Sequence, residues 1–333
     1  MELFSIIQAL NGAFGPSGDE TGVASVIADL ARPYADEVFT DVMGNLICHK
    51  KGSGPRVMFA AHMDSLGLVV THIEEDGYLR VGALGGISAA RVVHTPVRFK
   101  NGTRGVLAAD NGVAVDKLSI EDLYIDIGVE NSTQAMELVD LGDVAVYDTP
   151  VVQQGDVVFS PYLDNRVCCA VQLLAMEQLG QTDNDLYFVF TSQEELGMRG
   201  AKAATYAIDP DYGIVLDVTG SVDTPKVKPA DSSRQGGGAA IKVMDKSVIC
   251  HPAVVDTLKR LAREQDIPHQ LTVKRTGGTD GGAMQPTRAG VRVGGITVPC
   301  RYAHSAVECI RISDALACVR LVCAFAQAQL EKV

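Results

Sequence analysis

Tryptophan is absent from the 333-residue chain, and with it the broad aromatic platform on which sugar-cleaving enzymes usually seat a ring. None of the eight cysteines forms a C-x-x-C pair, so neither a disulfide framework nor a thiolate zinc site is indicated. Cys168, Cys169, Cys318 and Cys323 lie in apolar stretches and read as buried, reduced thiols. The opening MELFSIIQALNGAFG has no basic segment and no small-residue cleavage site, as a secretory leader would. No uninterrupted apolar run approaches the ~20 residues needed to span a bilayer. Positive charge is also short: 29 Lys and Arg against 41 Asp and Glu leave a formal charge of -12, which argues against binding to phosphate backbones. These absences predict a cytoplasmic protein with no membrane and no nucleic-acid partner.

What is present is ordinary for a folded enzyme. The chain is 47% apolar and 21% charged, and its length suffices for one large core plus a smaller unit. Ser17-Gly18-Asp19-Glu20 has the form of a capping box that opens a helix. Residues 56–61 read as a buried strand ending at His62-Met63-Asp64. From about residue 68 to 159 the texture is short β-rich runs joined by turns, with Asp76-Gly77 and Asn101-Gly102 placed for tight hairpins and one helical period around 132–140. Helix and strand then alternate: helix 165–179, strands 185–191 and 213–218, helix 252–265, strand 295–299, and a helix from 313 to about 330. Gly236-Gly237-Gly238 reads as a flexible loop. Such alternation predicts an α/β three-layer sandwich with a mixed, mostly parallel sheet, interrupted by a small β-barrel-like insert.

Chemistry gathers at the ends of these strands. His62 and Asp64 follow the first, Glu194 and Glu195 follow 185–191, Asp217 ends 213–218 and His304 follows 295–299. In open α/β sheets, ligands bind at the carboxyl ends of the strands, so one scattered set of His, Asp and Glu converges on one edge. Each alone has a plain alternative: a hydrogen-bonded core histidine for His62, a helix cap for Asp164, a turn for Asp217, a loop residue for His304. Together they read as a metal site. Asp64, two residues beyond His62 and on the same face, is placed to fix the imidazole tautomer. Adjacent Glu194 and Glu195 can divide two tasks, one binding metal and the other moving a proton between water and a leaving amine. Histidine and carboxylate without thiolate suit zinc first, with cobalt or manganese as alternatives. Thr279-Asp280 reads as a turn or cap in a glycine-rich stretch.

The segments AAHMDSLGLVV, SPYLDNRVCCAVQLL, TSQEELGMRGA, IVLDVT, GGTDGGAMQPTRAGV and VPCRYAHSAVE resemble, in order and spacing, those of the glutamyl/TET aminopeptidases, some of which carry a cellulase or endoglucanase label. The likeness spans nearly the whole chain. It implies two divalent metal ions per subunit, with Asp164 bridging them, His62 and Asp217 completing one site, and Glu195 and His304 the other. It further implies Glu194 as general base, Asp64 as the partner that orients His62, short peptides as substrates, and removal of their N-terminal residues. The catalytic domain would comprise 1–67 and 160–333, with 68–159 an inserted dimerisation domain. The dimers would build a homo-oligomer, a tetrahedral dodecamer. Ser65 and Gly220-Ser221 depart from the family pattern, which bears on substrate preference or the charge of the rim. The rival readings are a related metal-dependent carboxypeptidase or deacylase, a glycosidase, and a non-enzymatic shell protein. Neighbouring Glu194 and Glu195 cannot flank a sugar from opposite sides as glycosidase carboxyls must, and the intact ligand set argues against a dead shell.

Overall fold

The computed structural model describes residues 1–226 and 233–332. Two amphipathic helices come first, α1 (Leu3–Gly12) and α2 (Thr21–Ala31), then strands β1 (Glu37–Thr40), β2 (Leu46–Lys50) and β3 (Arg56–His62). The chain next winds six antiparallel strands, β4 (Gly67–Ile73), β5 (Leu79–Leu84), β6 (Pro96–Phe99), β7 (Arg104–Ala109), β8 (Leu123–Asp126) and β9 (Val144–Tyr147). They close into a barrel in the order β4-β5-β8-β7-β6-β9. Between them lie the one-turn helices α3 (Ala89–Val92) and α4 (Ser132–Met136). Closure leaves no unpaired strand edge, and the alternating residues Leu68, Val70, Leu79, Val81, Leu107, Leu123 and Ile125 fill the interior. Gly77 and Gly102 turn the β4–β5 and β6–β7 hairpins, both with φ near +90°, as the sequence predicts.

After the barrel, β10 (Val152–Gln154) and β11 (Val157–Ser160) pair with β17 (Glu308–Arg311) in a small separate sheet. The remaining elements are α5 (Leu163–Gln178), β12 (Asp185–Thr191), α6 (Arg199–Ile208), β13 (Tyr212–Gly220), β14 (Ala239–Met244), α7 (Pro252–Glu264), β15 (His269–Val273), α8 (Gly281–Met284), β16 (Arg292–Cys300) and α9 (Ile312–Ala326). The main sheet runs β1-β2-β12-β3-β13-β16-β14-β15. Its four central strands are mutually parallel, so their carboxyl ends share one edge.

Those central strands are apolar on both faces because both are covered. In β3, Val57, Phe59 and Ala61 pack into the large core beneath α1, α2, α5, α7 and α9. Their neighbours Met58 and Ala60 face the opposite way, onto Ala201, Ala204 and Ile208 of α6 and Met284 of α8. The architecture is therefore helix, sheet, helix, with the barrel inserted after β3, as expected. Among the described residues no helix is long and apolar enough to cross a membrane.

Three local expectations change. The 132–140 period yields only the five residues of α4. The Ser17–Glu20 box does not form: α2 has no side-chain cap, because Ser17 donates to Asp64 at 2.6 Å and Glu20 accepts the N–H of Gln193 at 3.1 Å. Glu20 also accepts the N–H of nearby Gly18 at 2.8 Å, so its carboxylate is shared between Gly18 and Gln193 and does not reach back to Ser17. Gly236 and Gly238 are held, not free, each donating its N–H to the Asp314 carboxylate at 2.7 Å.

Candidate active site

The two-residue period of the strands puts His62, Asp64 and Asp217 on one face of the sheet at its carboxyl edge. The parallel rungs of β3 and β13 end at Ala60 with Val215, and two residues on, His62 Nε2 lies 3.9 Å from Asp217 Oδ1. Thr191, the last residue of β12, is in register with His62, so Glu194 and Glu195 enter the same space three and four residues later. Asp164 lies in the first turn of α5, just ahead of Asn165, whose side-chain amide donates to Leu216 O in β13 at 2.8 Å. His304 lies in the loop between β16 and β17 with φ +62°.

Asp164 is the centre. Its Oδ1 is 3.2 Å from His62 Nε2 and its Oδ2 is 3.4 Å from His304 Nε2. Each imidazole is turned to present that nitrogen. His62 Nδ1 is 3.2 Å from the Asp64 backbone carbonyl and 3.4 Å from Asp64 Oδ1. His304 Nδ1 is 2.9 Å from the carbonyl of Gly86, in the barrel loop after β5. With Nδ1–H donating in each case, the Nε2 atoms face the centre, where each would offer its lone pair to a metal that displaced its proton. Glu195 Oε1 is 3.6 Å from His304 Nε2, and Glu194 Oε2 is 4.0 Å from His62 Nε2. Six of the seven site residues expected from the sequence line one cleft of about 500 Å³; the seventh, Asp64, lies fully buried behind His62.

The electrostatics are those of a crowded acid site. Burial, then the Asp164 charge, raises Asp217 to about 8 and Glu195 to about 7. Burial, reinforced by the charges of Asp280, Asp217 and Glu195, pushes Glu194 well above the usual carboxylate range. Burial works against ionised Asp164 too, but its hydrogen bonds to His304 and His62 hold it well below that range. Hydrogen bonding to Asp164 raises His304 to about 10. Burial opposes a charged His62, yet Asp164, Asp64 and Glu194 outweigh it and raise it well above the ordinary value. The two imidazoles are the positive groups at the centre of this cluster. A divalent cation fits this donor set: ligand atoms of His62, Asp164 and Glu195 all lie within 4.8 Å of one another, and its charge would relieve the repulsion that forces protons onto these acids.

Glu308, Gly85, Gly86 and Arg166 escaped the sequence reading, and Asp280 and Ser65 take places it did not give them. Glu308 accepts the backbone N–H groups of both Asp164 and His304, at 2.7 and 2.8 Å. Gly85 and Gly86 let the barrel loop approach closely; a Cβ on Gly86 would stand 2.9 Å from His304 Nδ1. Asp280 does not cap α8 with its side chain. It is buried and accepts from Thr191 at 2.5 Å, and burial raises its pKa to about 6. Ser65 is fully buried and donates to Gly15 O, so it is no part of the rim. Arg166, also fully buried, donates to the carbonyls of Leu10, Ala13, Gly15 and Met63 and so ties the loop that carries Ser17 to the segment that carries Asp64.

Comparison with known proteins gives the family. The model of the M42 glutamyl aminopeptidase family matches residues 44–321. A putative aminopeptidase of Acetivibrio thermocellus is 42% identical over 96% of this chain and 97% of its own length. An aminopeptidase from the archaeon Desulfurococcus kamchatkensis superposes with a TM-score of 0.94 at 35% identity, over 98% of this chain and 94% of the other. The TET1 peptidase of Pyrococcus horikoshii, which can assemble into a tetrahedron or a large octahedral shell, superposes with a TM-score of 0.88 at 28% identity, over 98% of this chain and all of the other. The chain thus belongs to the M42 glutamyl aminopeptidase family, and as an aminopeptidase it is a hydrolase and an exopeptidase.

Proposed function

We propose that the protein is a metal-dependent aminopeptidase that removes N-terminal residues from short peptides. Two divalent ions, zinc first and cobalt or manganese as alternatives, would be held with Asp164 between them. His62 and Asp217 complete one site, and Glu195 and His304 the other. The observation that supports this most is the approach of the two Nε2 atoms to opposite oxygens of the one Asp164 carboxylate. Bound divalent ions supply Lewis acidity toward the scissile carbonyl and lower the pKa of water.

The side chains divide the rest of the work. Glu194 is the general base: its carboxylate takes the proton from the attacking water and returns it to the leaving amine. Asp64 holds the His62 ring and, through the N–H groups of Glu194 and Glu195, holds the base beside its ligating neighbour. The substrate's free α-amine would bind one metal ion or a nearby carboxylate, which selects a chain end over an internal bond. Beyond it the cleft continues past Met198, Val218, Thr219 and the buried Lys242–Asp245 pair, a space that suits one side chain. The barrel stretch 68–159 acts as an inserted dimerisation domain, residues 1–67 and 160–333 as the catalytic domain, and the dimers build a dodecamer in the cytoplasm.

The test is hydrolysis of aminoacyl chromogenic substrates and of their N-acetylated counterparts, before and after chelation and with zinc, cobalt or manganese restored. Free-amine substrates should be cleaved only with metal present. Full turnover by protein shown metal-free by elemental analysis would refute the metal dependence, and equal cleavage of blocked substrates would refute the exopeptidase reading.

A further inference from the structure

We propose that Glu308 is a positioning residue that locks Asp164 and His304 to each other and so preforms one half of the metal site, an inference that rests on the metal reading above. Glu308 opens β17 and is 2% exposed. Its Oε2 accepts the N–H of Asp164 at 2.7 Å and its Oε1 the N–H of His304 at 2.8 Å. These bonds are to the main chain, so they fix where each residue's side chain starts. Asp164 stands at the beginning of α5, while His304 sits in a loop that β16 and β17 close through reciprocal hydrogen bonds between Arg301 and Cys309. One carboxylate therefore extends the contact between the two segments past the last β11–β17 rung, Ser160 with Glu308, to the residues that face the cleft.

Asp64 makes the same connection on the other side. Its Oδ1 accepts the N–H of Glu194 at 3.0 Å and its Oδ2 that of Glu195 at 3.3 Å. Two buried acids thus take up the backbone N–H groups of the four residues assigned as the bridging ligand, the general base and the second ion's ligands. The Glu308 oxygens face main-chain donors, which leaves the Asp164 and His304 side chains free to face the cleft. A carboxylate is suited to this place because it is acceptor-only with two oxygens, whereas an amide offers one acceptor and a donating NH₂ that would confront an N–H.

Glu308→Gln should therefore release one of the two segments without removing any ligand. The experiment measures zinc stoichiometry and affinity on the full chain by competition with a chromophoric chelator, beside circular dichroism, with His304→Ala as comparator. Wild type should hold two ions. Glu308→Gln should keep one tight ion and bind the second about 10–100-fold more weakly, the range for loss of an outer partner of a ligand, and resemble His304→Ala. Should Glu308→Gln fail to fold, Glu308→Asp, which keeps the charge but is one methylene short, should show the same selective weakening to a lesser degree. A variant that binds both ions as wild type does, even with a lower melting temperature, overturns the proposal, as does equal loss of both ions. Wild-type protein that binds neither zinc, cobalt nor manganese overturns the metal reading and this inference with it.

Discussion

Asp64 Oδ1 accepts the backbone N–H of Glu194 at 3.0 Å, and the same carboxylate reaches the N–H of Glu195 and the hydroxyl of Ser17. The two adjacent glutamates are therefore anchored together by their backbone while their side chains diverge, Glu194 toward His62 and Glu195 toward His304. Their roles should separate on mutation. Glu194→Gln is expected to retain metal and fold and to lose ~10²–10⁴-fold in kcat, the usual contribution of a general base. Glu195→Gln is expected to lower metal occupancy, because an amide is the poorer ligand. Steady-state kinetics beside elemental analysis decides the matter; exchanged phenotypes would exchange the assignments.

The barrel reaches the site through Gly86. Its carbonyl is 2.9 Å from His304 Nδ1, and a Cβ added there would meet Nδ1 at 2.9 Å and Cε1 at 3.1 Å. Gly86→Ala must therefore displace the ring or the loop. Zinc affinity at the Glu195–His304 site should fall by about 10–100-fold, and kcat/KM should fall with it. Gly12→Ala, where a Cβ would meet nothing within 4 Å, serves as control. Unchanged zinc binding in Gly86→Ala would show that the barrel loop does not hold His304.

The candidate ligands other than Asp164 were legible because each follows or ends an apolar run that only a buried strand explains, and the ends of parallel strands share an edge; Asp164, ahead of a helix, reads equally as a cap and is assigned through the family resemblance alone. His62, Asp217 and the 185–191 strand carry that pattern plainly. Glu308 does not: it begins a four-residue strand and acts on backbone N–H groups, which leave no mark in composition. Ser17 and Glu20 misled for a related reason, since the capping-box spacing is satisfied while Ser17 serves Asp64 and Glu20 is shared between Gly18 and Gln193. Strands β1 and β15 are short and partly exposed, so they show neither a continuous apolar run nor a clear alternation. Helix α6 is amphipathic, but its buried face is made of small residues, Gly200, Ala201, Ala204 and Thr205 beside Ile208, so no set of large apolar side chains marks it.

The loop that carries His304 is also tied down by charge. Arg301 makes a paired contact with Asp223, Nη2 to Oδ2 at 2.6 Å and Nε to Oδ1 at 2.9 Å. The Arg301 hydrogen bond is the main reason the Asp223 carboxyl sits well below its usual 3.8. A carboxyl depressed in the folded state stabilises above its unfolded value, and that stability is lost as pH falls toward the folded one. The pair is about one quarter exposed, so solvent screens it, and Arg301→Gln should lose on the order of 1 kcal/mol at pH 7. The difference from wild type should shrink as pH drops below about 3.8. Urea unfolding at pH 7 and near pH 2.5 measures both; a gap that widens in acid would contradict the assignment.

The last prediction concerns assembly. The barrel closes its own strand edges, so any association through it must use side chains on its outside. It presents Val106, Val115, Met136 and Leu141 to solvent, the last 65% exposed. An apolar set of this kind on a small unit is what a partner subunit would cover. Light scattering of the wild type should give twelve times the 35.3 kDa of one chain. Replacing Met136 and Leu141 together by lysine would set like charges against each other across a two-fold contact and should shift the mass to a smaller species. Zinc binding should persist, because neither side chain lines the cleft. A wild-type protein that runs as a monodisperse 35.3 kDa monomer would refute the assembly, and a double variant with unchanged mass would move the contact elsewhere on the molecule. Either result leaves the chemistry of Asp164 and its neighbours standing, since all of its ligands come from one chain.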